Sequence, residues 1–318
     1  MRRRIASVLT AFLVMLAAVS AFAPLKANAE PELMPDGTLF DAEFYAKAYP
    51  DVVAVYGTTD AAVMYKHYCQ YGKKEGRLPY APAGGVSWNM VSVSQNIHTV
   101  SGDMLSATNL EEYFRESAFV GDSVMSGYKL YLARHKESPV SASTFLAATS
   151  YATYHAIKEN SSMHPAYQGV QQPVWKSIAQ MGAKRVFIML GTNDLVCFDA
   201  KRTADGIFSV IDRIRLECPG VEINIVSMVP VYGGASKGCL NNKGVDALNI
   251  ILRQGCAEHG TGFVELNSFL KNDKGALRND YCSDKLVHET TPAYSDVWDM
   301  RFRSFAEEAL STKIENKH

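Results

Sequence analysis

No C-x-x-C pair occurs among the six cysteines of this 318-residue chain, which argues against a zinc ribbon or a thioredoxin-like motif. H-E-x-x-H is missing, as is any cluster of His and Asp, so no metal site is expected. Glycine-rich phosphate loops are absent too, and no cofactor is expected. No basic stripe and no interleaving of basic with aromatic residues points to nucleic acid as a partner. With one exception, no segment is apolar enough to span a bilayer.

The exception is N-terminal. Arg2, Arg3 and Arg4 precede an almost wholly apolar run from Ile5 to Ala23, and Ala27-Asn28-Ala29 follows as an A-x-A cleavage site. Residues 1–29 therefore read as a secretory signal peptide, with an uncleaved membrane anchor as the alternative. Cleavage removes four basic residues and no acid, leaving 28 Lys and Arg against 33 Asp and Glu, a net charge of about −5. An exported chain can hold disulfides. Cys69 stands apart from Cys197, Cys218, Cys239, Cys256 and Cys282, so at least one of those five has no mate within its own region. Buried free thiols are an equally good reading.

Residues 30–80 are rich in tyrosine and regularly punctuated by Gly and Pro. Helical spacing covers 41–48 and 59–71; Pro50 is expected to end the first helix, and Gly72 and Gly76 the second. The runs F-D-A-E-F-Y-A-K-A-Y-P-D-V and H-Y-C-Q-Y-G-K-K-E-G-R-L-P resemble, over residues 41–79, a short repeat of secreted and surface bacterial proteins. That resemblance implies exposure at the cell surface. Attachment to wall or glycan and a simple packing or spacer role both remain open, and so few residues bury only a small core, which favours docking onto the larger domain. Residues 81–114 read as a polar linker beginning A-P-A-G-G.

From residue 115 to 318 strand and helix alternate about five times. Short apolar strands are expected at 118–120, 144–148, 185–190, 221–229 and 262–266, with helices at 124–134, 173–181, 203–217, 242–258 and 292–310. This pattern predicts an α/β fold: a three-layer α/β/α sandwich with a parallel, flavodoxin-like sheet, preceded by the small helical module. Such a sheet gathers functional residues at the carboxyl ends of its strands.

Three segments fall there. In F-V-G-D-S-V-M-S-G-Y a strand runs out at Val120, and Gly121-Asp122-Ser123 turns into a helix. A serine at a helix N-terminus has unpaired N–H groups beside it, which suits a nucleophile whose attack creates an oxyanion; a plain capping role fits the same residues. In M-L-G-T-N-D-L a buried strand ends at Gly191, and the Asn193 amide can donate to an oxyanion, unless this is an ordinary turn. In Y-C-S-D-K-L-V-H-E-T-T-P-A-Y, Asp284 and His288 lie close together before the last helix. An imidazole can take the serine proton and return it to the leaving group, with a carboxylate fixing its tautomer. A solvated polar loop is the bland reading.

Taken together and in this order, the three segments resemble the SGNH/GDSL hydrolase family over roughly residues 115–311. The resemblance implies Ser123 as nucleophile, His288 as base and Asp284 as the third triad member. It implies the Ser123 N–H and Asn193 as oxyanion donors, with Gly121, Asp122 and Gly191 shaping the loops. Two departures stand out. The usual D-x-x-H is D-x-x-x-H here, and the expected glycine donor of the second segment is missing from A-A-T-S-Y-A-T-Y, residues 147–154, where Ala152 is the stand-in. The N–H survives a change from Gly to Ala if the required φ is negative.

The resulting expectation is a secreted or cell-surface serine esterase acting on acyl groups, with acetyl on cell-wall or extracellular polysaccharide preferred and a lipid or other short acyl ester next. The alternative is a non-catalytic surface protein that binds glycan through residues 30–80 and keeps an esterase-like scaffold. His155 and His164 are expected at the surface or on a pocket rim, and His67 as structural. Trp175, Trp298, Tyr294 and Phe302 are expected to pack helices on the sheet.

Overall fold

The computed structural model describes residues 31–34, 38–73, 77–80 and 107–315. The expected signal peptide and residues 81–106 of the expected linker lie outside them.

Five strands form one parallel sheet: β3 (Ser117–Gly121), β4 (Thr144–Ala147), β7 (Arg185–Met189), β8 (Glu222–Val226) and β9 (Gly262–Val264), in spatial order β4-β3-β7-β8-β9. The remaining strands are two short antiparallel ribbons, β1 (Glu32–Leu33) with β2 (Leu39–Phe40), and β5 (Ala166–Tyr167) with β6 (Val170–Gln171). β3 and β7 are buried at every residue, as strands covered on both faces must be. The expected α/β architecture is present, and its elements fall within a few residues of the sequence reading. Phe302 of the last helix (Met300–Glu315) meets Phe119 of β3 and Phe187 of β7 at ring distances of 4.9 and 5.5 Å. Trp175, Trp298, Tyr294 and Phe302 are all buried.

The chain passes from β3 outward to β4, then returns across β3 to β7. The loops leaving β3 and β7 therefore diverge, opening a crevice at the carboxyl ends of those two strands.

Four local readings are corrected. Pro50 does not only stop the helix Ala42–Ala48; it opens the next one, Pro50–Tyr56, where its missing N–H would have had no partner anyway. Residues 107–114 of the expected linker belong to a helix, Ala107–Arg115, whose Leu110, Tyr113 and Phe114 enter the main core. The closing helix is broken into Thr291–Ala293, a wider-wound Tyr294–Asp299 turn and Met300–Glu315. His164 is buried rather than exposed, with Nδ1 2.9 Å from Tyr151 Oη and Nε2 2.8 Å from the Lys158 carbonyl.

The N-terminal module has its own small core of Phe40, Tyr45, Tyr49, Val52, Met64 and Tyr68. Its buried His67 lies 3.0 Å from the Tyr45 hydroxyl. It docks on the larger unit through Tyr80, whose hydroxyl donates to Glu265 and whose ring lies 3.4 Å under the Arg253 guanidinium. Glu265 follows β9, so the module sits at the carboxyl end of the sheet. Cys197, Cys218, Cys239, Cys256 and Cys282 are free thiols. Among the described residues no helix is long and apolar enough to cross a membrane.

Candidate active site

Ser123 is the first residue of the helix Ser123–Leu132, directly after β3. Asp122 caps that helix: its Oδ1 accepts the Val124 N–H at 2.9 Å. The Ser123 N–H, one position earlier, has no acceptor within the helix and points with the positive end of the helix dipole. Gly121 is required by close approach. A β carbon there would lie 2.4 Å from Met125 Cβ, so the first helical turn packs directly on the strand end.

His288 comes from the far end of the sequence. Its Nε2 lies 2.9 Å from Ser123 Oγ, and its Nδ1 lies 2.5 Å from Asp284 Oδ2. The other carboxylate oxygen, Oδ1, accepts the backbone N–H groups of Leu286, Val287 and His288 at 2.8, 3.0 and 3.1 Å. Asp284 thus ties its own loop into a tight turn and meets the imidazole with its remaining oxygen. The extra residue of D-x-x-x-H is accommodated because Lys285 takes a left-handed conformation, φ 60°. Pairing of Cys282 with Glu289 and the Ser283 N–H donating to the His288 carbonyl at 2.8 Å close the base of the loop. Burial alone would push the Asp284 carboxyl up. The hydrogen bonds from the His288 ring and from backbone N–H groups outweigh it, and the group is held below the usual carboxylate range.

Asn193 follows β7 across the crevice. Its Nδ2 donates to the Tyr151 carbonyl at 3.1 Å and approaches Asp122 Oδ2 at 3.3 Å. These two acceptors fix the plane of the amide beside Ser123. Gly191 has φ 134°, a conformation open to glycine, and a β carbon there would meet Leu248 at 3.0 Å and Thr203 at 3.2 Å. Asp122 is fully buried, and desolvation pushes its carboxyl up to about 6.

Ala152 is buried in the loop after β4 with φ −137°, a backbone conformation any residue adopts. Its position does not require glycine. Thr153 donates its N–H and hydroxyl to Asp194, both N–H distances being 3.1 Å, which binds the β4 and β7 loops together. Sequence reasoning missed Asp194, Tyr151 and Thr153. Asp194 stands beside Asn193 in the same motif, but its partner 41 positions away left no trace in the spacing.

Ser123, His288 and Asp284 thus form one hydrogen-bonded relay at the carboxyl end of β3, and Asn193 is tied to Asp122, which precedes Ser123. Among the described residues no group of three His, Cys, Asp or Glu side chains could hold a metal ion. The relay faces solvent: the His288 side chain is 41% exposed and that of Asp284 33%.

Residues 119–294 match the model of the GDSL-like lipase/acylhydrolase family. A Bacteroides fragilis protein assigned as an acylhydrolase superposes with a TM-score of 0.50 at 16% identity, covering 61% of this chain and 87% of its own. A GDSL-like lipase from Bacteroides thetaiotaomicron superposes with a TM-score of 0.49 at 14% identity, covering 64% of this chain and 100% of its own. No curated protein matches the sequence. At such identities the likeness to solved structures is one of fold.

Proposed function

The chain belongs to the GDSL-like lipase/acylhydrolase family, and on that premise we propose that it is an exported serine esterase removing short acyl groups, acetyl foremost, from cell-wall or extracellular polysaccharide. The observation that carries this reading is the continuous relay Asp284–His288–Ser123, with contacts of 2.5 and 2.9 Å.

With Nδ1–H donating to Asp284, the free lone pair of His288 is on Nε2, facing the serine hydroxyl. Ser123 Oγ attacks the ester carbonyl as Nε2 takes its proton, and Asp284 stabilises the imidazolium. The N–H groups of Ser123 and Ala152 receive the developing oxyanion, joined by the Asn193 N–H that exchanges its long 3.3 Å contact with Asp122 for the oxyanion while the other N–H stays on Tyr151. The imidazolium then protonates the leaving alcohol. Water, deprotonated by His288, releases the acyl group and restores the serine.

A polymer favours an open site, and the exposed relay suits an ester carried on a bulky chain better than a long acyl tail needing a tunnel. The module at residues 30–80, whose Val55, Tyr56 and Tyr71 remain exposed, is proposed to hold the enzyme at the wall. Both departures that motivated a non-catalytic alternative have a local answer, in the Lys285 turn and in the negative φ of Ala152.

The test is cleavage of p-nitrophenyl acetate together with labelling by a fluorophosphonate probe. Parent protein is expected to do both and Ser123→Ala neither. Equal cleavage by parent and variant would rule out Ser123 as nucleophile.

A further inference from the structure

Beside the proposed oxyanion donors lies a group of side chains that the reaction does not use. Tyr154 follows Ala152 by two residues, and Phe198 follows Asn193 by five. Their loops are bound together by Thr153 and Asp194, and the Phe198 N–H donates to the Asp194 carbonyl at 2.8 Å. The two rings meet edge to face, 5.9 Å apart at 88°, and both are only half-buried. Arg202, in the first turn of the helix Ala200–Glu217, lies over Phe198 with Cζ 4.2 Å from the ring centroid.

Arg202 is exposed, and among the described residues its guanidinium forms no ion pair. The neighbouring Lys201 is paired with Asp205 at 2.8 Å. Asp199, three positions before Arg202, turns its Oδ1 to the Arg202 backbone N–H at 2.8 Å. The ring contact holds the guanidinium over Phe198, and among the described residues its N–H groups donate to no acceptor. A planar fork pre-set in this way matches a carboxylate with two parallel hydrogen bonds. The adjoining aromatic surface suits the C–H face of a sugar ring.

We propose that Tyr154, Phe198 and Arg202 form a subsite for a pyranose bearing a carboxylate, so that the preferred substrate is an acetylated acidic polysaccharide rich in uronic acid. This rests on the esterase reading and narrows its substrate class. A neutral glycan would gain the ring contacts but leave the cation unused.

The experiment compares kcat/KM on acetylated polygalacturonate with that on acetylated glucomannan, a neutral polymer, at low and high salt. Parent protein is expected to favour the acidic polymer about tenfold at low salt, with the preference shrinking at high salt because exposed charges are screened. Arg202→Ala is expected to lower the acidic-to-neutral ratio at least threefold, mainly through KM. Arg202→Lys keeps the charge but loses the fork, and is expected to lie between. Galacturonate oligomers are expected to inhibit the parent more strongly than manno-oligomers, a measurement that needs no variant. No acidic preference in the parent, or a ratio changed less than threefold by Arg202→Ala, overturns the subsite while leaving the esterase reading intact if p-nitrophenyl acetate is cleaved. A parent inert to every ester and to the fluorophosphonate takes both readings down.

Discussion

The Nε2 of His288 stands 2.9 Å from the hydroxyl oxygen of Ser123, across 165 positions of chain. Replacing His288 by Ala leaves Ser123 without a base. Ester cleavage is expected to fall by about 10³-fold or more, with the residue left by the oxyanion donors. Burst kinetics with p-nitrophenyl acetate measure this directly. Asp284→Asn is expected to cost at least about tenfold in kcat, less than the ~10⁴ of a buried triad carboxylate, because Asp284 is a third exposed.

Asn193→Ala removes an amide already oriented by Tyr151 and Asp122. Loss of one preorganised oxyanion donor is expected to lower kcat by about 10²-fold or more with KM little changed. An effect confined to KM would move Asn193 from oxyanion stabilisation to substrate binding.

Glu289 follows His288 and is buried, with the Trp298 indole N–H beside its carboxyl. Burial pushes its carboxyl well above the ordinary range. The folded state therefore keeps a proton that the unfolded chain gives up, and stability falls as pH rises from the unfolded value toward the folded one. The slope contributed by one such group is about 1.4 kcal/mol per pH unit. Glu289→Gln should remove it. Urea midpoints for variant and parent are expected to be similar at pH 4.5 and to diverge in the variant's favour by pH 7.5.

Gly191→Ala places a β carbon against Leu248 and Thr203 at a φ of 134°. A destabilisation of about 1–3 kcal/mol is expected from the backbone strain alone, read as a lower Tm, together with reduced kcat because the Asn193 loop shifts.

Tyr80→Phe deletes the donor that meets the Glu265 carboxylate at the docking surface of the N-terminal module. A buried acceptor left unpaired costs about 1–3 kcal/mol. Tm is expected to fall while kcat on a small ester holds, since Glu265 follows β9 rather than the strands that carry the relay.

Much of the fold was legible because hydrophobic period and strand length are local. R-V-F-I-M-L reads as a buried strand from six residues, and apolar spacing at 203–217 and 242–258 marks the two long helices that Asp199 and Asn241 cap in the structure. Pro50 ends the first helix as expected, but the helix Pro50–Tyr56 escaped notice because a proline that stops one helix serves equally well at the first position of the next. His164 misled because polar neighbours in sequence say nothing of the Tyr151 hydroxyl that receives its ring in space.

Sequence by itself determined the order of strands and helices, the Gly121-Asp122-Ser123 turn and the nearness of Asp284 to His288, since each depends on residues within a few positions of one another. Tertiary structure alone decided that His288 reaches Ser123, that Asn193 is aimed by Tyr151 and Asp122, and that the first module rests on Glu265. Those outcomes follow from strand order and from packing among segments far apart in the chain. No local propensity encodes the distance between groups that only the closed sheet brings together.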